Sequence, residues 1–142
     1  MSLIFEDLEA WKDARRVVNE VYKMTRTGAL SKDFGLKDQI QRAAVSVMTN
    51  LAEGFERTGS QEKLHFYNIA RASNGEVRSL LYVLEDNFPE SEDLARNLRQ
   101  ENITCARKIT GLISSYKRRQ AFTTLTILLP LTALILVFLQ LI

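Results

Sequence analysis

The chain has 142 residues, enough for one domain with a hydrophobic core of its own. Gly (6) and Pro (2) are scarce, which favours helix, and a formal charge of +2 points to no class of partner. The single cysteine, Cys105, excludes an internal disulfide and fits a reducing compartment. The opening MSLIFEDLEAW has neither a basic n-region nor a long apolar run, so it does not read as a secretory signal.

The first helix is expected from about Asp7 to Arg26, with Asp7 as N-cap and Phe5 as a hydrophobic staple. Its buried stripe reads Leu8, Trp11, Ala14, Val18, Val21 and Tyr22, and Thr27-Gly28 stops it. The second helix begins between Ser31 and Phe34 and contains the stretch around which the chain is organised, Leu36 to Arg57. There Leu36, Ile40, Ala43, Ala44, Val47, Leu51 and Phe55 recur at helical spacing. Small residues (Ala43, Ala44, Ser46, Ala52) allow a neighbouring helix to approach closely. The third helix, about Gln61 to Asn87 with Ser60 as cap, buries Leu64, Tyr67, Ala70, Ser73, Val77, Leu80, Leu81 and Leu84. Its small waist of Ala70, Ala72, Ser73 and Gly75 suits packing against helix two. After Pro89, Ser91 caps a fourth helix whose seam reads Leu94, Leu98, Asn102, Cys105, Ile109, Leu112 and Tyr116. Asn102 interrupts that seam, as a residue that fixes register does. These segments predict an all-α fold, an antiparallel up-down four-helix bundle over residues 1–119.

All charged side chains lie in residues 1–119. Residues 120–142 include 22 consecutive uncharged positions, Ala121 to Ile142, about 33 Å long as a helix. With the basic Lys117, Arg118 and Arg119 before them, they predict a C-terminal transmembrane helix: a tail anchor in the inner membrane, with the bundle in the cytoplasm. The alternative is a fifth buried helix. Within the tail, Thr123, Thr126, Pro130, Ala133, Val137 and Gln140 recur at steps of 3 and 4, a stripe through which tails could associate.

Residues 5 to about 117 resemble the four-helix bundle proteins encoded in intervening sequences of bacterial large-subunit ribosomal RNA genes. The resemblance rests on Phe5, Asp7-Leu8, Trp11 and Ala14; on Arg42-Ala43-Ala44-Val45-Ser46 and Asn50-Leu51-Ala52-Glu53-Gly54-Phe55 with Arg57; and on Phe66, Ala70, Ser73 and Glu76. It implies a four-helix bundle that forms ring-like homo-oligomers, commonly pentamers. A related accessory protein of diversity-generating retroelements binds nucleic acid and a reverse transcriptase. The chain departs from the pattern at Met48, where the family usually has Pro, and in its hydrophobic tail.

No catalytic motif, phosphate loop or metal-ligand spacing is present, and neither His65 nor Cys105 has a partner at such spacing. The expectation is a protein that is not an enzyme and needs no cofactor or metal. Arg42, Asn50, Glu53 and Arg57, with Glu76 from helix three, read as an inter-helix polar network in preference to a ligand site. From Asn102 to Arg119 there are five cations and no anions, a pattern suited to nucleic acid or anionic lipid. Beside an apolar span, lipid is the simpler partner for Lys117, Arg118 and Arg119, whereas Arg71 and Arg78 read as ordinary solvated surface. The leading expectation is a non-enzymatic membrane-anchored oligomer, with a membrane-perturbing or pore-forming effector as its sharper form. The rival is a nucleic-acid-binding accessory protein tethered to the membrane, with an enzyme third.

Overall fold

A computed structural model describes residues 4–140, with side chains described as far as residue 124. Four helices follow one another: α1 (Glu9–Met24), α2 (Phe34–Glu56), α3 (Ser60–Asn87) and α4 (Glu92–Gln140), with short 3-10 turns at Phe5–Asp7, Ala29–Lys32 and Pro89–Ser91. Each helix packs on the next and α1 closes the ring on α4. Cross-helix partners fix the directions. Ser46 meets Ser73 while Gly54 faces Tyr67, Asn74 meets Asn102 while Tyr67 nears Tyr116, and Ala10 meets Cys105. Along α2/α3 and α3/α4 residue numbers rise on one side as they fall on the other, and α1 runs against α4, since Leu8 neighbours Gly111 and Ser115 while Asn19 neighbours Glu101, so the bundle is antiparallel and up-down.

The helix ends follow local chemistry. Asp33 caps α2 by accepting from the Leu36 N–H at 3.0 Å. The last carbonyls of α2 are met by Lys63, which donates to Phe55 O at 2.5 Å. Asp7 does not cap α1; it sits in a 3-10 turn and accepts from the Ile4 N–H, and α1 begins after Leu8 without a side-chain cap. Phe5 packs edge-on to Trp11 at 5.1 Å. Ser60 lies inside the first turn of α3 rather than at its cap, which is Gly59.

Ile40, Leu51, Tyr67, Leu81, Leu84, Leu98 and Ile109 fill the centre of the core. Gly54 is the tightest point of α2 on α3: a Cβ there would lie 2.6 Å from Tyr67 Cε1, so only glycine lets the buried Tyr67 ring lie against this backbone. On α4 the buried positions are Ala95, Leu98, Asn102, Cys105, Ile109 and Ile113. Leu94, expected in this seam, is exposed, as is Tyr22 on α1. Both stand at the edge of their stripe, where a helix of 3.6 residues per turn has rotated past the core.

The expected membrane span is not supported. Among the described residues no helix is long and apolar enough to cross a membrane. Residues 120–140 are no separate element: α4 runs unbroken from Glu92 to Gln140, through the boundary expected after Arg119. Where its side chains are described, α4 carries charges from Glu92 to Arg119, and charges are expensive in hydrocarbon. This overturns the C-terminal transmembrane helix, the tail anchor and the inner-membrane placement. The membrane-perturbing or pore-forming effector falls with them. Thr126, Pro130, Ala133, Val137 and Gln140 of the tail stripe lie outside the residues whose side chains are described. Thr123 is exposed, and its hydroxyl donates back to Arg119 O at 2.9 Å.

Candidate functional site

The polar residues picked out on α2 do not form one network. Asn50 turns back on its own helix, donating to Ser46 O at 2.8 Å and to Ser46 Oγ at 3.1 Å. Ser46 Oγ lies 2.8 Å from Ser73 Oγ, so this part does bridge α2 and α3. Arg42 is exposed and held locally by Asp38 (3.0 Å) and Gln39 (2.9 Å), while Gln39 in turn donates to Glu76. Glu53 and Arg57 pair along the helix, with the Arg57 guanidinium over the Phe66 ring. These are three separate contacts along the α2/α3 seam, none enclosing a cavity.

Three buried polar side chains, Asn74, Asn102 and Asp13, meet at or against α4. Asn74 and Asn102 form a reciprocal amide pair in the core. Asn74 Nδ2 donates to Asn102 Oδ1 and to Asn102 O, both at 3.1 Å, and Asn102 Nδ2 donates to Asn74 Oδ1 at 2.9 Å. On the α1 side, Asp13 is 3% exposed and takes Arg16 at 2.7 Å and Lys108 at 2.6 Å. Cys105 lies beside this cluster, its thiol directed at Ala10 O (3.5 Å). Burial, with the nearby Asp13 charge adding to it, pushes the Cys105 thiol up to about 12. A group so hard to ionise is no nucleophile at neutral pH. Tyr67 is likewise pushed up, first by burial and then by Tyr116. Among the described residues, no group of three His, Cys, Asp or Glu side chains is placed to hold a metal.

Among the outer grooves of the described residues, two differ in charge. Between α1 and α2 an open trough continues through Tyr22 and Val45 into a second one, about 590 and 350 Å³. Its cations are mostly neutralised in place, Arg16 by Asp13, Lys23 by Glu20 and Arg42 by Asp38. The α3/α4 groove differs. Arg71, Gly75, Arg78 and Tyr82 stand at steps of 4, 3 and 4, on one face of α3. That face borders α4, because Arg99 donates to the Tyr82 hydroxyl at 3.0 Å and pairs with Glu85 at 3.0 Å. On α4, Arg107 follows Arg96 by three turns and Lys117 follows Arg99 by five, so both share the side facing α3. Lys117 lines a cavity of about 520 Å³ with Ser60 and Gln61 of α3. Arg71, Arg78, Arg107 and Lys117 are exposed, and among the described residues none meets an acidic side chain. Among the described residues, Glu92 pairs with Arg96 at 2.6 Å, and the acid bound between Arg96 and Arg99 on this face is Glu85. Partial desolvation works to raise it, but Arg96 and Arg99 outweigh that and hold its carboxyl below the usual range.

Arg118 and Arg119 are also exposed, with Arg119 over the Tyr116 ring at 5.9 Å, and they continue the basic end of the described side chains. Asn74, Asp13 and the α3/α4 basic strip were not anticipated. The signal for the strip was present in the seven-residue spacing of Arg71 and Arg78, which lacked only its neighbours on α4.

The fold and this surface define an antiparallel all-α bundle with a polar core seam and one uncompensated basic groove. Residues 6–111 match the 23S rRNA-intervening sequence protein family, and the chain belongs to it. No curated protein matches the chain.

Proposed function

We propose that the protein is a non-enzymatic, self-assembling helical bundle that binds nucleic acid along its α3/α4 groove. The observation that carries this reading is the row of Arg71, Arg78, Arg107 and Lys117, four exposed cations without acidic partners on one groove. Elsewhere on the bundle several cations are neutralised within their own helix, as in Lys12–Glu9, Lys23–Glu20, Arg42–Asp38 and Arg57–Glu53. A phosphate backbone supplies the counter-charge this row lacks, releasing condensed ions as it binds. A homo-oligomer, with a pentamer as the family resemblance implies, sets several such grooves side by side and turns weak contacts into avidity.

The test uses the full-length protein and a labelled RNA, read by fluorescence anisotropy between low and moderate salt. Binding is expected to fall with salt, at about 0.7 log units per log unit of salt for each phosphate contacted on a single strand. Arg71→Gln/Arg78→Gln/Arg107→Gln is expected to flatten that slope by about 2. No binding at low salt, or a variant that binds as the parent does, overturns the reading. Light scattering tests assembly, with a monomer as the contrary result.

A further inference from the structure

Resting on that reading, we infer that the groove takes single-stranded nucleic acid, with Tyr82 as a stacking platform for an unpaired base and Arg78 and Arg71 on the flanking phosphates. Tyr82 is 48% exposed although it is a large aromatic ring. Its orientation is fixed from two directions. The Arg99 guanidinium lies 4.3 Å from the ring centroid, and Arg99 Nη1 donates to the phenolic oxygen at 3.0 Å. Arg99 is itself held by Glu85, 3.0 Å away, so the support does not depend on a mobile side chain. The ring is therefore set in place before any ligand arrives, which reduces the ordering cost of stacking on it.

The neighbours of Tyr82 give the platform its class of ligand. One turn before it on the same face stands Arg78, and two turns before that Arg71, about 10.5 Å along the helix. Between them Gly75 presents no side chain, and a Cβ there would meet nothing within 4 Å. The face is thus cation, gap, cation, aromatic, which matches a strand whose backbone follows the charges while a base turns onto the ring. A duplex keeps its bases stacked on one another and offers none to Tyr82. Among the acids near this end, exposed Asp86 stands one turn beyond Tyr82 and bounds the strip there. Glu85 is occupied by Arg96 and Arg99, and Glu101 lines the trough on the α1 side.

The experiment compares Tyr82→Ala, Tyr82→Phe and Arg71→Gln/Arg78→Gln in the full-length protein. The probes are a labelled oligouridylate and an RNA duplex of equal phosphate number. Tyr82→Ala is expected to weaken oligouridylate binding about fivefold or more. It should leave duplex binding and the salt slope unchanged. Tyr82→Phe keeps the ring and is expected to bind as the parent does. Arg71→Gln/Arg78→Gln is expected to flatten the slope on both probes. If the parent binds RNA but Tyr82→Ala binds oligouridylate equally well, the platform is refuted while nucleic-acid binding stands. Equal loss on both probes also refutes it, since that assigns Tyr82 a general or folding role. If the parent binds neither probe, both the platform and the functional reading fail.

Discussion

Replacing Asn102 by Ala tests the polar seam of the core. The side chain is fully buried and makes two of the pair's contacts, donating to Asn74 Oδ1 at 2.9 Å and accepting from Asn74 Nδ2 at 3.1 Å. Truncation removes both. Asn74 Nδ2 keeps Asn102 O, but Asn74 Oδ1, on a residue only 2% exposed, loses its donor. An unsatisfied buried acceptor costs about 1–3 kcal/mol, and the missing side-chain volume adds about 1 kcal/mol. The expected loss is about 2–4 kcal/mol, a large share of a typical domain's stability. Urea unfolding should show it as a lower midpoint at constant slope. Asn74→Leu/Asn102→Leu removes both polar groups together and should recover most of that loss, leaving a coupling energy of about 0.5–3 kcal/mol in a double-mutant cycle. A parental midpoint for Asn102→Ala, or strict additivity in the cycle, would refute the paired-amide account.

Gly54→Ala should lower the melting temperature. The new Cβ would lie 2.6 Å from the buried Tyr67 ring, and overpacking of about 1–3 kcal/mol outweighs the roughly 1 kcal/mol that Ala gains over Gly in a helix; an unchanged or higher melting temperature contradicts this. Asp13→Asn should cost about 1–2 kcal/mol by weakening the hold on Arg16 and Lys108, discounted because both cations reach solvent, and chemical denaturation measures it. Cys105 should resist thiol reagents at pH 8 until the protein unfolds. Its folded pKa, about 12, lies above the reference value of 9.0, so the folded state holds the proton more tightly. That contribution to stability is complete below pH 9 and lost as pH rises towards 12; titrating stability across that window in parent and Cys105→Ala tests it, the variant losing less.

Most of the architecture was legible because helices announce themselves locally. The 3- and 4-residue spacing of Ile40, Ala43, Ala44, Val47 and Leu51 gave α2 its buried face, and all five are buried. Asn102 was readable as a polar break in an apolar seam, but its partner was not. Asn74 stands among the small residues of α3, and nothing local separates a buried amide there from an exposed one. Asp13 was missed for a related reason. Its counter-ion Lys108 lies on another helix, and a carboxylate two positions from Trp11 looks like the solvent side of α1 until α4 is in place. Apolar composition, a run of about span length and the basic flank of Lys117, Arg118 and Arg119 led to the membrane reading of residues 121–142. Composition says that a segment avoids water without saying what it lies in, and no helix among the described residues meets the requirements of a span. The basic strip needed two helices at once, since Arg71 and Arg78 become a groove only beside Arg107 and Lys117.

Ultraviolet crosslinking of the full-length protein to a uridine-rich RNA, followed by mass spectrometry of the crosslinked peptides, tests the nucleic-acid reading most directly. Crosslinks are predicted at Tyr82 and on peptides carrying Arg71, Arg78 and Arg107, and they should fade as salt rises. Crosslinks concentrated on the α1/α2 trough around Tyr22 and Arg42, or none at low salt, would contradict it.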